Sequence, residues 1–494
     1  METHQHRTDA LVVGSGYAGS IAALRLAEAG IATIVLERGR RWQVRADGDT
    51  FATQHRPDGR ASWLSPKSPL TDRELDIYPG VLESLEGEGL TMIAAAGVGG
   101  ASLLSNGTMV EPSPALASRA FGDFLDQQEM HDVWYPQARE LIGCSPIPKD
   151  ILDSEFYRSS RDFMSQLERA GIPYDLVDLA VDWDTVREEM AGRREASHIA
   201  GLNVFGVNSG AQRSMDVTVL ARAEATGRVE VRPLSLVTGI RPEGEGHVVA
   251  YDELDESGRV VARHEVHTTH LVLAAGTLGT TRLLMRAKAL GHLPDLDDSI
   301  GTRVGNSEVI TARTGMAPNN PAQGGPCSIV VKDWQDNPHA PVTLLNFPWV
   351  DAPSDEGWIT TIGASPTEPL GSFRYDAAKD DVVLNWPVED PRAVRATDAV
   401  RHTLDRLNAA TPGSKTAFNR IGTTGGNVVG GVPLGLATTA DGSVRGARNL
   451  YVVDGSLLHG SSGAVPPALT IAAVALRVTA LLVPAVAGAW VAGV

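Results

Sequence analysis

The fold of this chain is decided by the stretch Ala10-Leu-Val-Val-Gly-Ser-Gly-Tyr-Ala-Gly19. Its apolar residues predict a buried strand, and glycines with the spacing Gly-x-Gly-x-x-Gly follow directly. We expect a helix over residues 18–29, ended by Gly30, and a second strand over residues 31–36. A strand, a glycine-rich turn, a helix and a strand in this order predict a dinucleotide-binding βαβ unit.

The glycines of this turn each have a role in such a unit. Gly14 permits the tight turn, Gly16 lets the backbone approach a pyrophosphate, and Gly19 allows the helix to pack closely. The N-terminus of the helix favours an anion. Glu37 follows eighteen residues after Gly19 and can accept hydrogen bonds from ribose hydroxyls. This pattern alone leaves FAD and NAD open as the cofactor.

Composition predicts an acidic globular protein. The 494 residues are 43% apolar and 21% charged, which is enough for two or three domains. The net charge of −17 disfavours nucleic acid and anionic membrane surfaces as partners. Two cysteines cannot build a disulfide framework, and the histidines lack the spacing of metal ligands. Because the N-terminus lacks the charged and apolar regions of a signal peptide, we expect a cytoplasmic protein.

The nucleotide-binding domain is predicted to be assembled from separated segments. A third apolar strand begins at Leu271 and runs into a helix from Leu278, and residues 247–267 alternate as a hairpin does. A last strand at Leu450 meets a turn and then a helix from about Pro467. We assign residues 1–112, 211–304 and 419–494 to this domain, and residues 113–210 and 305–418 to a second, mixed domain.

Three further stretches carry a resemblance to a known family: Gly97-Val-Gly-Gly-Ala-Ser102, Ser105-Asn-Gly-Thr-Met-Val-Glu-Pro112 and Asp454-Gly-Ser456. With them the chain resembles the glucose-methanol-choline (GMC) flavoprotein oxidoreductases, and among these the bacterial cholesterol oxidases. The resemblance implies an α/β, Rossmann-like FAD-binding domain and an α+β substrate-binding domain with a mixed sheet. It implies FAD as the cofactor, held by Gly14, Gly16, Tyr17, Ala18, Gly19, Glu37, Gly97, Gly99, Gly100, Ser102, Asn106, Gly107, Met109, Val237, Asp454, Gly455 and Pro467.

The residues that carry out proton transfer in that family are replaced here. The position of the family's histidine holds Asn427, that of its glutamate holds Asn346, and that of its asparagine falls near Pro466. A carboxamide has no comparable basicity near neutral pH. His459, shortly after Asp454, is the candidate for a replacement base. We therefore take Asn427, Asn346 and His459 as candidate catalytic residues.

Three functions remain open. The first and favoured one is a redox-neutral isomerisation, rearrangement or cyclisation of a bulky apolar metabolite, sterol- or polyketide-like, because the oxidase base is absent. The second is alcohol oxidation by FAD with His459 or a water molecule as the base. The third is a noncatalytic flavoprotein that binds a hydrophobic ligand.

The C-terminus is a separate expectation. Residues 478–494 are uncharged and rich in Ala and Val, but Pro484 interrupts them and they fall short of a spanning helix. We expect no integral membrane association, and we expect this stretch to pack on the protein or on a second copy of the chain as a homo-oligomer.

Overall fold

The computed structural model describes residues 3–69, 73–104, 106–306, 308–325, 327–352, 355–421 and 424–492. Its strands are β1 (Thr3–Val13), β2 (Thr33–Leu36), β3 (Leu82–Glu86), β4 (Thr91–Ala95), β5 (Thr108–Met109), β6 (Ser145–Pro146), β7 (Tyr174–Leu176), β8 (Asp178–Leu179), β9 (Val229–Arg232), β10 (Ser235–Glu243), β11 (Gly246–Leu254), β12 (Val260–Leu273), β13 (Glu308–Met316), β14 (Ile329–Asp333), β15 (Val342–Phe347), β16 (Gly357–Ala364), β17 (Ser372–Asp376), β18 (Asp381–Asn385), β19 (Lys415–Ile421), β20 (Thr424–Gly425) and β21 (Leu450–Val452). Its α-helices are α1 (Tyr17–Glu28), α2 (Pro114–Phe121), α3 (Gln127–Glu129), α4 (Tyr135–Ile142), α5 (Lys149–Leu152), α6 (Arg158–Ala170), α7 (Trp183–Met190), α8 (Val219–Ala225), α9 (Gly276–Ala289), α10 (Pro391–Ala409) and α11 (Ala468–Ala492).

The first sheet has the order β10-β11-β12-β1-β2-β9, and β21 pairs with β12. Its centre is parallel, because β1 runs alongside both β12 and β2, and β12 runs alongside β21. The predicted strand Ala10–Val13 is buried, as a central parallel strand requires. The carboxyl ends of β1, β2, β12 and β21 therefore meet at one edge of the sheet, where ligands bind in α/β proteins.

Helices cover this sheet and share one apolar core with it. Helix α1 packs against α8 and α11, and α4 packs against α11. Residues 114–142, which we assigned to the second domain, place Phe121, Tyr135 and Ile142 in this first core. Helix α11 has the length and the mean hydropathy, 2.1, of a membrane span, but 61% of its most apolar window is buried inside the protein.

The second sheet has the order β19-β13-β16-β15-β14-β7, and its pairs are antiparallel. Helices α6 and α10 pack on one of its faces, where Phe163 and Leu404 join Val309 and Leu344 in a core. The other face turns Glu308, Ile310 and residues beside them toward the first sheet. The predicted combination of a Rossmann-like α/β domain with a second α+β domain is confirmed, and the main sheet of the second domain is antiparallel. The exact domain boundaries stay a prediction, and β19 continues past the proposed boundary at residue 418.

Candidate cofactor and active site

A cavity of about 470 Å³ lies between the carboxyl edge of the first sheet and the free face of the second. At one end it meets the glycine-rich turn, the end of β2 and the start of β10. At the other end it meets β13, β15, β16 and the loop after β20. Of the predicted cofactor residues, those that line the cavity are Gly14, Gly16, Tyr17, Ala18, Glu37, Gly100, Asn106, Val237, Asp454, Gly455 and Pro467.

The glycine-rich turn has room for an anion. Gly14 has φ +99°, and a Cβ there would lie 2.3 Å from the carbonyl oxygen of Ala274. A Cβ on Gly19 would lie 2.0 Å from the oxygen of Gly14. By contrast, a Cβ on Gly16 would meet only the Cα of Gly100, at 3.7 Å. The chain itself therefore needs glycine at positions 14 and 19, whereas position 16 leaves space open in the cavity wall.

The start of α1 lacks a capping side chain and an acidic residue that could take the place of a bound anion. Gly16 is its N-cap residue and has no side chain to cap the helix, and the first turn holds no acidic residue. Free N–H groups at a helix N-terminus attract phosphate through hydrogen bonding and the helix dipole. These observations fit a cofactor with a pyrophosphate.

Glu37 is fixed at the far end of the cavity. One carboxylate oxygen accepts from the backbone N–H (3.1 Å) and the hydroxyl (2.7 Å) of Ser15, and the other accepts from the N–H of Gly39 (2.9 Å). A carboxylate has about four acceptor positions, so capacity remains for a ribose hydroxyl. Val237 of β10 lines the cavity nearby, in the region predicted for the adenine.

Asp454 joins the last strand of the sheet to α9. Its carboxylate accepts from the N–H of Gly276 (2.8 Å) at the start of α9 and from the hydroxyl of Thr280 (2.5 Å). It also accepts from the N–H (2.9 Å) and hydroxyl (2.6 Å) of Ser456. Burial raises the pKa of Asp454, against the effect of these hydrogen bonds. Both Asp454 and the neighbouring Gly455 line the cavity.

Six predicted cofactor residues do not line the cavity: Gly19, Gly97, Gly99, Ser102, Gly107 and Met109. They support the wall from behind. The hydroxyl of Ser102 donates to the oxygen of Gly99 (2.6 Å) and accepts from the N–H of Met215 (2.8 Å), which uses its hydrogen-bonding capacity inside the protein. Met109 lies in the first core. Ser105 falls outside the described residues.

The substrate end of the cavity contains a carboxylate that the sequence analysis missed. Glu308, at the start of β13, lines the cavity beside Ile310. Its Oε2 accepts from the N–H of Gly426 at 3.1 Å, and the backbone N–H of Asn427 also bonds to it. Burial raises the pKa of Glu308 more than these amides lower it. The available signal was the alternation of Glu308 with Ile310 along a strand, which places both side chains on one face.

Asn427 lies in the cavity wall as expected, next to Val428. Its loop is held by backbone hydrogen bonds between Val429 and Gly305 (3.0 and 3.1 Å) and from Gly430 to Gly455 (3.0 Å). Gly430 has φ +99°, and a Cβ there would lie 2.0 Å from the oxygen of Arg303. The glycine therefore fixes where the loop presents Asn427.

Asn346 points away from the cavity, contrary to its predicted catalytic role. Its side-chain oxygen accepts from the N–H of Ile329 (2.9 Å), and its amide group donates to the hydroxyls of Ser160 (3.1 Å) and Ser328 (3.3 Å). Successive strand residues point to opposite faces, so Asn346 lies on the helix-covered face and Phe347 lines the cavity.

His459 also lies outside this cavity. Its Nε2 donates to the carbonyl oxygen of Leu434 at 2.7 Å, and its ring stacks on Phe124 with centroids 4.1 Å apart. Burial lowers its pKa. The side chain occupies a small separate hollow with Phe121 and Leu458, so the structure assigns it to packing rather than to the cavity.

The cavity can therefore support proton transfer beside a nucleotide cofactor. Glu308 offers a base or an acid, Asn427 offers an amide, and Ile310, Phe347 and Ile362 provide apolar walls. Among the cavity-lining residues that the structure describes, none is histidine or lysine. Over the same described ranges, no group of three or more His, Cys, Asp or Glu side chains could hold a metal ion.

Comparisons with known proteins agree with the nucleotide end of the site. Residues 9–72 match the FAD binding domain family. The chain is 30% identical over 151 residues to an uncharacterized GMC-type oxidoreductase of Mycobacterium tuberculosis, covering 30% of this chain and 21% of that protein. It is 27% identical over 248 residues to a cholesterol oxidase of the same species, covering 48% of this chain and 40% of that protein. The matches thus span less than half of these relatives' lengths.

Solved structures share the fold along nearly the whole chain. Pyridoxine 4-oxidase from Mesorbium loti superposes with a TM-score of 0.63 at 16% identity, covering 96% of this chain and 99% of that one. A variant formate oxidase of Aspergillus oryzae RIB40 gives a TM-score of 0.62 at 12% identity, covering 97% and 99%. At such identities the likeness establishes the architecture alone.

Proposed function

This chain is an FAD-binding relative of the GMC-type oxidoreductases, and from this premise we propose that it oxidises an alcohol group of an apolar substrate. When bound, FAD supplies the acceptor for the hydride that leaves the carbinol carbon. The hydroxyl proton needs a second acceptor, and Glu308 is the residue placed to take it. The products are a carbonyl compound, a reduced cofactor and a protonated Glu308.

The position of Glu308 is the observation that carries this proposal. Glu37 and Asp454, the other carboxylates of the cavity lining, lie at the nucleotide end or at the start of α9 and are held by three and four hydrogen bonds. Glu308 instead lies among the apolar residues of the second sheet and keeps acceptor capacity beyond its bonds to the loop amides. A carboxyl with a raised pKa is a better base than an ordinary one, provided that it is ionised.

Asn427 orients the substrate rather than deprotonating it. Its amide can donate a hydrogen bond to the substrate oxygen, and this bond strengthens as the carbonyl forms. Ile310, Phe347 and Ile362 favour an apolar substrate and exclude water from the reacting atoms. This apolar lining supports the proposal of a hydrophobic alcohol as the substrate. A bulky polycyclic alcohol is a more specific proposal within that class.

The test is a Glu308→Gln variant, studied by anaerobic flavin reduction with a panel of apolar alcohols. We expect full FAD content and a reduction rate lower by about 10²- to 10⁴-fold, because a positioned base is lost. The matched control is Glu368→Gln, the same change at a side chain that is 69% exposed and pairs with Arg392. Reduction of the Glu308→Gln variant at the rate of the unaltered protein would overturn the role of Glu308.

A redox-neutral isomerisation, rearrangement or cyclisation is the second candidate. It is supported by the raised pKa of Glu308, since a single carboxyl that is readily protonated can remove a proton and return it at another carbon. The substitution of Asn427 for an imidazole is compatible with it. A product of unchanged mass, formed anaerobically while the flavin stays oxidised, would select this candidate over oxidation. Absence of both reactions would leave a noncatalytic ligand-binding flavoprotein.

The remaining expectations are proposals about the protein's surroundings. We propose a cytoplasmic protein with a small hydrophobic substrate and without nucleic-acid or integral membrane partners. The support for a homo-oligomer is the apolar far end of α11, where Leu481 is 46% exposed. Sedimentation of a Leu481→Lys variant, compared with the unaltered chain, tests this contact.

A further inference from the structure

The β3–β4 hairpin forms one wall of the cofactor cavity. Leu82 of β3 and residues 92–95 of β4 line the cavity. Strand β20 pairs with β4, through Thr424↔Thr91 and Gly425↔Met92, and leads directly to Asn427. The hairpin is thus placed between the cofactor end and the substrate end of the cavity.

Glu83 of this hairpin lies between two arginines from other parts of the fold. One carboxylate oxygen pairs with Arg38, which follows Glu37 at the end of β2. The other pairs with the guanidinium of Arg282 on α9 at 3.0 Å. Both arginines line the cavity, so Glu83 connects two separate walls through the hairpin.

Each arginine has a second anchor. Arg38 donates to the carbonyl oxygen of Ala95 on β4 at 2.9 Å. Arg282 donates to the carboxylate of Asp381, at the start of β18, at 2.7 Å. The cluster of Arg38, Glu83, Arg282 and Asp381, which we call the four-residue clasp, therefore joins β2, the hairpin, α9 and β18.

The clasp is charge-balanced and largely withdrawn from water. It contains two guanidinium groups and two carboxylates, and the side chains of Glu83, Arg38 and Arg282 are 16%, 20% and 23% exposed. Burial by itself would raise the pKa of Glu83, but Arg38 and Arg282 outweigh it and lower the pKa to about 2. A neutral cluster is a poor site for an additional anion, which favours a mechanical role.

We propose that Glu83 is a positioning residue that holds the β3–β4 hairpin against bound FAD, so that release of the cofactor requires the four-residue clasp to open. Removing one charge from a partly buried network leaves its partners uncompensated, so the network is sensitive to substitution. This role concerns retention of the cofactor and does not depend on the reaction that the protein catalyses.

The experiment measures FAD release from the holoprotein by flavin fluorescence after dilution. For Glu83→Gln we expect release faster by about tenfold or more, since the loss of one charge from the buried network makes opening of the four-residue clasp less costly. The matched control is Glu88→Gln, at the tip of the same hairpin. Its partner Arg374 lies outside the cavity lining, and both side chains are more than half exposed, at 53% and 55%. Release of FAD from this control should be unchanged.

Thermal unfolding of the apoprotein and holoprotein separates retention from general stability. We expect Glu83→Gln to reduce the stabilisation that FAD adds, and Asp381→Asn, which leaves the pair of Glu83 and Arg282 in place, to do so less. If Glu83→Gln does not fold, the rate of FAD release from the Asp381→Asn variant tests the proposal in its place. Release at the unaltered rate in both variants, or equal destabilisation of apoprotein and holoprotein, would overturn the proposal.

Discussion

The two ends of the cavity are built by different means. At the nucleotide end, the backbone of one continuous glycine-rich turn provides much of the surface, with Glu37 at the end of the next strand. Val237 and Gly455, from distant segments, complete it. At the substrate end, side chains from β13, β15, β16 and the loop after β20 meet across a sheet. The first end depends on local spacing in the chain, and the second depends on strand register.

This difference determines where substitutions act. A one-residue shift along a strand moves a side chain to the opposite face, as Asn346 and Phe347 show. A one-residue shift in the glycine-rich turn instead places a Cβ against the backbone. Substitutions at the nucleotide end should therefore abolish cofactor binding or folding, whereas substitutions at the substrate end should alter catalysis.

The largest expected effect is that of Gly16→Val on cofactor content. A Cβ at Gly16 meets no protein atom closer than 3.7 Å, so the apoprotein should still fold. It should lose only about 0.5–1 kcal/mol of its free energy of unfolding, because valine is a poorer N-cap residue for α1 than glycine. The added side chain enters the space for the pyrophosphate, so the purified protein should lack flavin. Absorbance and calorimetry check both outcomes.

The comparison variant for that prediction is Gly19→Ala. Its Cβ would lie 2.0 Å from the oxygen of Gly14, so the apoprotein itself should lose about 1–3 kcal/mol of its free energy of unfolding. Equal loss of apoprotein stability in both variants would show that Gly16 serves the fold and not the cofactor.

The pH dependence of turnover should report the ionisation of Glu308. Burial raises its pKa, so the base is neutral over a wider acidic range than an ordinary glutamate with a pKa of about 4.3. We expect kcat/KM to rise about tenfold per pH unit below this raised pKa and to level off above it. The rise should be missing from the residual activity of Glu308→Gln. A profile that persists in that variant would assign the titration to another group.

The neighbours Asn346 and Phe347 test the register of β15. Asn346→Ala should lower the free energy of unfolding by about 1–3 kcal/mol, because the N–H of Ile329 loses its partner, while kcat/KM stays unchanged. Phe347→Ala should instead weaken binding of apolar substrates by about tenfold, because it removes part of the cavity wall. Denaturant titration and steady-state kinetics separate these effects, and the reverse pattern would contradict the register.

The smallest effect should be that of His459→Phe. The variant keeps an aromatic ring against Phe124 but loses the hydrogen bond to Leu434, which should cost about 0.5–1.5 kcal/mol of stability. Turnover at saturating substrate should not change, because His459 lies outside the cavity. A large loss of turnover with unchanged stability would restore His459 as a candidate base.

The sequence predicted the part of the nucleotide end that is local in the chain. The spacing of Gly14, Gly16 and Gly19 and the position of Glu37 reflect constraints within a few turns of chain, and the structure has the βαβ unit at these residues. Asp454 was identified through resemblance, but its bonds to Gly276 and Thr280 depend on contacts far along the chain. A pattern of neighbouring residues does not predict contacts between residues that lie far apart in the chain.

The substrate end was predicted less well for a physical reason. The resemblance to the family implied a role for Asn346, whereas strand alternation turns that side chain away from the cavity. The carboxylate that lines the cavity is Glu308, from another strand. The sequence predicted that the oxidase base is absent, because asparagines stand at the positions of the family's glutamate and histidine. Which of several strands supplies a carboxylate is set by the packing of the whole sheet, and one sequence does not specify it.

The bonds of Asp454 to the start of α9 have a consequence for biosynthesis. The cavity that begins at Gly14 is closed only by residues from Asp454 onward, so the ribosome must elongate past residue 454 before every wall exists. At about 5–20 residues per second, roughly 20 to 90 seconds pass between synthesis of the glycine-rich turn and synthesis of Asp454. We therefore expect the flavin to bind late in maturation, after the nascent N-terminus has left the ribosome.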